Sequence, residues 1–357
     1  PDCQCDWRLG RSREKDIPEE RKKQKTDMAG GLRIICHMFS VRFVSEMAPA
    51  VRKCFCGRAG SCGITGGRIG DFPAGSRRSD CNREGRERPM EKERKTGLVL
   101  EGGGMRGIYT AGVLDVFLDH RIGFDGVIGV SAGAIHGCSF VSGQKERSIR
   151  YYKEYCADKR FMSWESFFRT GNLVNTEFCY HEIPEKLDPY DFQAFARSET
   201  AFYVGCSNVE TGEPEYIRIR DMKRDIDYIR ASASMPYVSE TVQAGGMKLL
   251  DGGCTDSIPV KAFMKLGYER NVVILTRQKG YKKKPEKAGL ERIVYRHYPA
   301  FARALRNRPW VYNRQLEEIE ELKDCGKAFL IRPSEPLNIS RVSKDKNEIE
   351  AVYRLGG

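Results

Sequence analysis

The pattern of apolar and polar positions changes near residue 96. Residues 1–89 hold no sustained period of about 2 or 3.6 residues, and their one short apolar patch, LRIICHMFSVRFV, is set among Arg, Gly, Ser and Cys. Such a composition buries too little apolar surface to offset the entropy of ordering the chain. Residues 1–89 are therefore expected to be an unstructured extension, with Met90, just ahead of the first strand-like run, as the expected true start.

From residue 96 strand-like and helical runs alternate. TGLVLEG reads as a buried strand, and MRGIYTAGVLDVFLDH places Ile108, Ala111, Val113, Leu114, Phe117 and Leu118 along one helical stripe. FDGVIGVSAGAIHG gives a second strand, a tight turn and a second helix. A strand pair turning at Thr211-Gly212 follows, then YIRASASMP, MKLLDGG and NVVILTR. This alternation predicts an α/β fold with a sheet covered on both faces. Beyond about residue 276 the text becomes charged and helical (LERIVYRHYPAFARAL, QLEEIEELKD), with one last strand-like piece, KAFLIRP.

Charge and cysteine usage narrow the class. Of the formal net charge of +12, more than half lies in residues 1–89, so the larger part is only mildly basic and no nucleic-acid partner is expected. The six cysteines beyond residue 89 are scattered singly, as reduced thiols are. Cys54, Cys56 and Cys62 lack paired metal-ligand spacing, so no metal is expected. No run reaches the roughly 18 apolar residues of a membrane span, and the first residues lack a signal peptide's apolar core. A cytoplasmic protein is the expectation.

The glycine run carries the first candidate chemistry. Gly102, Gly104 and Gly107 fit G-x-G-x-x-G, yet a dinucleotide site needs an acidic residue at the tip of the second strand, where VIGVS ends instead on Ser131. A P-loop fails as well, because Met105-Arg106-Gly107 stands where Gly-Lys-Ser/Thr is required. The second strand carries Gly129-Val130-Ser131-Ala132-Gly133, a G-x-S-x-G at a strand-to-helix junction. A serine on so sharp a turn needs small residues two positions before and after it. The glycine loop then fits an oxyanion hole, its N–H groups facing the charge that acyl transfer places on the carbonyl oxygen. Arg106 is placed to stabilise that loop or charge, the alternative being a solvated arginine.

Ser131 needs a base. Among His37, His120, His136, His181 and His297, only His181 and His297 satisfy a nucleophile–acid–histidine order. His297 sits in a charged helical segment and reads as a surface residue, while His136, five residues along the helix from Ser131, points away. Asp251-Gly252-Gly253, at the end of MKLLDGG, puts a carboxylate at a strand end beside residues that let another backbone approach, and Asp251 is the preferred base.

Together, Gly102-Gly103-Gly104-Met105-Arg106-Gly107, Gly129-Val130-Ser131-Ala132-Gly133 and Asp251-Gly252-Gly253 resemble the patatin-like phospholipase family in identity, order and spacing, most closely a bacterial branch with a charged C-terminal extension. The resemblance covers residues 95–275, with 276–357 as that extension. It implies a three-layer α/β/α fold with a mostly parallel central sheet and lipid acyl hydrolysis by a Ser131–Asp251 dyad, without cofactor or metal. Residues 102–107 would form the oxyanion hole. ASASMPYVSE resembles the family's segment before the catalytic Asp, with Ser232 and Ser234 structural. The expected substrate is a phospholipid or lysophospholipid ester, with a soluble-ester carboxylesterase and a catalytically silent lipid-binding protein as alternatives. Lys279, Lys282, Lys283, Lys284 and Lys287 are the candidate peripheral membrane contact, and no oligomeric state follows from the sequence.

Overall fold

The computed structural model describes residues 95–285 and 289–357. The expectations for residues 1–89, for Cys54, Cys56 and Cys62, for Met90 and for Lys287 lie outside the described residues. Strands β1 (Lys95–Leu100), β2 (Gly126–Val130), β3 (Ala201–Asn208), β4 (Pro214–Ile219), β5 (Val242–Ala244), β6 (Met247–Asp251), β7 (Tyr268–Ile274) and β8 (Ala328–Ile331) form one sheet. Its order is β5-β6-β3-β2-β1-β7-β8, with β4 also paired to β3. The pairs among β3, β2, β1, β7 and β8 are parallel, whereas β4 and β6 run antiparallel to β3.

The principal helices are α1 (Ile108–Asp119), α2 (Ala132–Val141), α3 (Arg147–Tyr155), α4 (Ile226–Ser232), α5 (Val260–Lys265), α6 (Pro299–Asp324) and α7 (Lys346–Arg354). Side chains alternate across a strand, and the two faces of β1 have different partners. Val99 joins Ile128 and Val273 in a cluster with Phe263 of α5 and with Tyr312 and Ile319 of α6. Leu100 points to the opposite face, where the absent side chain of Gly137 lets α2 lie close against it. The result is a three-layer α/β/α arrangement around a mixed, mostly parallel sheet.

Two elements differ from the sequence reading. The stripe expected on α1 is nearly a full cylinder, buried from Ile108 through Asp115. The reason is α7, which covers the outer side: a Cβ on Gly112 would lie 2.2 Å from the Tyr353 carbonyl oxygen, and Tyr353 Oη donates to Asp115 Oδ2 at 2.7 Å. His297 is not helical. It sits in a turn between the short helix Leu290–Val294 and α6, because Pro299 disfavours a helical residue before it and suits the first position of the next helix.

Residues from 276 onward share one compact unit with the rest of the described chain. Strand β8 extends the sheet beside β7, and α6 reaches the glycine loop through a buried polar junction. Glu101, 3% exposed, accepts hydrogen bonds from Thr276 N–H at 2.6 Å, Thr276 Oγ1 at 3.1 Å and Tyr312 Oη at 2.5 Å. Removing one donor from a buried carboxylate costs about 1–3 kcal/mol. Tyr312→Phe is expected to lower the unfolding free energy by that amount, read as a fall in the urea midpoint with an unchanged m value; an unaltered midpoint would show that the junction contributes nothing to folding.

Candidate active site

The site forms where two strands meet on one edge of β3. Strand β4 occupies the other edge along residues 202–207. On the shared edge, parallel β2 ends with Val130 opposite Gly205, and antiparallel β6 ends with Asp251 opposite Cys206. The C-terminal ends of β2 and β6 therefore face each other one β3 residue apart. Ser131, the next residue after β2, and Asp251, the last of β6, are brought together from 120 residues away, and Ser131 Oγ donates to Asp251 Oδ2 at 2.9 Å.

Residues 129–133 form a sharp strand-to-helix turn. Ser131 has φ 55° and ψ −122°, a strained conformation for a side-chain-bearing residue. A Cβ on Gly129 would lie 2.6 Å from the backbone of Gly133, and one on Gly133 would lie 2.4 Å from the Leu100 carbonyl oxygen. Val130 is fully buried in the sheet, and Ala132 opens α2 against Gly107, whose absent Cβ would lie 2.6 Å from it. Ser232 holds the turn in place: Ser131 N–H donates to Ser232 Oγ at 2.8 Å, and Ser232 Oγ donates to the Gly205 carbonyl at 2.7 Å. Ser234 contributes its carbonyl, which accepts Asp251 N–H at 2.9 Å. Gly252 passes directly over β3, since a Cβ there would lie 2.1 Å from the Gly205 oxygen, and Gly253 N–H donates to Asp251 Oδ1 at 2.8 Å.

The 102–107 loop does not present itself uniformly to Ser131. Gly102 lies against the elbow, where a Cβ would sit 2.9 Å from Ser131 Cβ, and Gly103 packs on Thr276. Gly104, at φ 59°, leaves room for the Arg341 backbone, whose carbonyl accepts Met105 N–H at 3.3 Å. Gly104 and Met105 line a cavity with Ser131. Arg106 is buried in the short helical turn Gly104–Gly107, which removes the solvated alternative. Its pKa is lowered to about 10, first by burial and then by repulsion from Arg277 and Arg341.

The cavity, about 140 Å³, is walled mainly by apolar side chains, among them Ile135, Phe161, Met162, Ile183 and Met222. Ser131 and Ala132 form part of its lining. Neither His181 nor His297 contributes to it. His136 is buried behind Ala132 with Nδ1 3.0 Å from Ser148 Oγ, and burial lowers its pKa to about 3, so it is neutral. Most of the cavity wall, and Arg308 and Arg341 beside the site, carry no motif or spacing that sequence reasoning could have found.

Burial raises the Asp251 pKa above the ordinary carboxylate value; Arg308, the Ser131 and Gly253 hydrogen bonds and Arg341 oppose the rise. Between the unfolded and folded pKa values the native state holds a proton that the unfolded chain lacks, so stability falls as pH rises through that window. Asp251→Asn removes the buried charge and keeps hydrogen-bonding atoms facing Ser131 and Gly253. It is expected to melt above the parent at neutral pH, with the difference shrinking below about pH 4, where the unfolded carboxylate is also protonated. A variant that melts below the parent at neutral pH would contradict a raised pKa.

Comparison with known proteins agrees with the geometry. The patatin-like phospholipase family matches residues 98–264, and a domain of unknown function, DUF6363, matches residues 298–357. The chain is 34% identical over 194 residues to the uncharacterized protein YjjU of Escherichia coli (strain K12), covering 53% of this chain and 54% of that one. It is 28% identical over 180 residues to the lysophospholipase nte1 of Aspergillus terreus, covering 49% of this chain and 11% of that one. With the lysophospholipase NTE1 of Candida albicans the identity is 27% over 186 residues, 50% of this chain and 13% of the other. The chain thus spans about half the length of YjjU and a small part of the two lysophospholipases. With the elbow and the glycine loop lining one cavity and the Asp-Gly-Gly turn joined to the elbow by the Ser131–Asp251 hydrogen bond, residues 98–264 constitute a patatin-like phospholipase domain.

Proposed function

We propose that this protein is a serine acyl hydrolase that cleaves phospholipid or lysophospholipid esters through an acyl-enzyme on Ser131. The observation that carries the reading is the 2.9 Å hydrogen bond from Ser131 Oγ to the buried Asp251 carboxylate, set beside a cavity walled mainly by apolar side chains. The lysophospholipase relatives support the substrate class.

Asp251 accepts the hydroxyl proton as Ser131 Oγ attacks the ester carbonyl. The N–H groups of the glycines before Met105 and of Ala132 stabilise the oxyanion; Ala132 opens α2, where a backbone N–H lacks an intrahelical acceptor. Met105 N–H is committed to Arg341, which leaves that role to its neighbours. Asp251 returns the proton to the departing alcohol, and water then repeats the sequence to release the fatty acid. An intact Ser131–Asp251 pair argues against a silent lipid-binding protein.

A dyad and a triad make opposite demands. Ser131→Ala and Asp251→Asn are expected to abolish lysophospholipid hydrolysis, while His181→Ala and His297→Ala leave it nearly intact. In a triad, loss of the histidine would cost orders of magnitude. A folded histidine variant reduced about a hundredfold or more would overturn the dyad. Faster turnover of monomeric short-chain esters than of micellar lipid would favour the carboxylesterase instead.

Membrane contact is proposed to be peripheral. No described helix is long and apolar enough to cross a membrane. Lys279, Lys282 and Lys284 are exposed on the loop after β7, while Lys283 lies over the Tyr312 ring, 4.8 Å from its centre. Each exposed lysine near an anionic surface contributes about 1 kcal/mol. Replacing Lys279, Lys282 and Lys284 with Ala is expected to weaken low-salt binding to phosphatidylserine vesicles, and undiminished binding would refute the patch.

A further inference from the structure

We propose that the C-terminal segment 298–357 completes the substrate site, with Arg341 receiving the phosphate of the substrate's head group. This rests on the hydrolase reading above and adds a source of selectivity to it. Arg341 belongs to the loop between β8 and α7, distant in sequence from every motif residue, yet it lines the same cavity as Ser131 and Gly104. Its backbone is fixed against the glycine loop: the carbonyl accepts Met105 N–H at 3.3 Å. A Cβ on Gly104 would lie 2.9 Å from that oxygen and 3.4 Å from Arg341 Cβ. Gly104 therefore serves two ends, the loop's left-handed turn and room for Arg341.

Arg341 is the member of a mutually repelling arginine group, with Arg106 and Arg277, that lines the cavity. Arg277 and Arg341 both act on the buried Arg106 and lower its pKa. Glu101, the acid closest in effect, is already engaged by Thr276 and Tyr312, and Arg106 Nε is buried without a hydrogen-bond partner. Like charges gathered in this way repel one another, and a bound anion relieves the repulsion.

Substrate geometry sets which anion. With the ester carbonyl at Ser131 and the acyl chain among the apolar walls, the glycerol must leave by the rim, and in a lysophospholipid the phosphate follows only a few bonds beyond the ester. A guanidinium matches phosphate oxygens in a two-pronged, charge-assisted contact. A monoacylglycerol offers the same ester and chain without the phosphate. Arg341 thus discriminates between the two classes.

The test compares kcat/KM of the full chain for 1-palmitoyl-lysophosphatidylcholine and 1-palmitoylglycerol in parent, Arg341→Gln and Arg341→Lys, each first shown to melt as the parent does. Arg341→Gln is expected to lower the ratio of the two constants, lysophospholipid over monoacylglycerol, by about tenfold or more, mostly through KM. Arg341→Lys, which keeps the charge without the fork, is expected to restore part of it. A ratio unchanged in Arg341→Gln overturns the proposal, whether activity falls equally on both esters or on neither. A parent inactive on both esters overturns the hydrolase reading itself, and this proposal with it.

Discussion

The site depends on one constraint, the sharing of a single edge of β3 by two strands of opposite direction. A strand has two edges, and β4 occupies one of them along residues 202–207. Parallel β2 and antiparallel β6 must then divide the other, and they stop facing each other at Gly205 and Cys206. Neither strand can continue without colliding with the other's end. Each chain leaves the sheet by a sharp turn at that point, and those two turns carry Ser131 and Asp251. The glycines are consequences of the collision: Gly252 crosses the Gly205 carbonyl where no Cβ fits, and Gly129 and Gly133 close around the elbow. Ser232 ties the turn after β2 to β3 by accepting from the Ser131 N–H and donating to the Gly205 carbonyl.

This explains what was legible in the sequence. A turn that cannot hold a Cβ enforces glycine, so GGGMRG, GVSAG and DGG record the backbone geometry directly. The buried parallel strands were equally visible, because a strand covered on both faces must be apolar throughout, as β2 is. The cavity wall was not legible. Phe161, Met162 and Ile183 come from short helices and turns between α3 and β3, including the irregular helix Phe178–Leu187 that contains Pro184. Those residues need only be apolar and roughly placed, a demand that many sequences meet and no spacing records.

The inward contacts of the C-terminal residues were not legible for a related reason. Those residues read only as a charged, mainly helical extension. Yet α6 sends Tyr312 to Glu101 and α7 seals the outer side of α1. Arg308 of α6 acts on Asp251, and Arg341 touches the glycine loop. In each case a polar group turns inward from a charged stretch, beside the few apolar residues, such as Phe301, Ile319 and Ile349, that the same helices bury. Helical periodicity averages over such single positions, so tertiary contacts decide their roles.

These contacts bear on how a carboxylate can serve Ser131 without a histidine. A buried Asp is costly to ionise, and only the ionised form accepts a proton. Burial therefore makes Asp251 a stronger base and also works against its being charged. The balance is held by what surrounds the carboxylate: Gly253 N–H on one oxygen, Ser131 Oγ on the other, and the positive charge of Arg308 and Arg341 nearby. Both arginines lie in the stretch that matches the domain of unknown function. The patatin-like domain thus contains both members of the proposed dyad, while the cations that favour the charged state of its base come from outside that domain. Electrostatically, the site belongs to the whole compact unit.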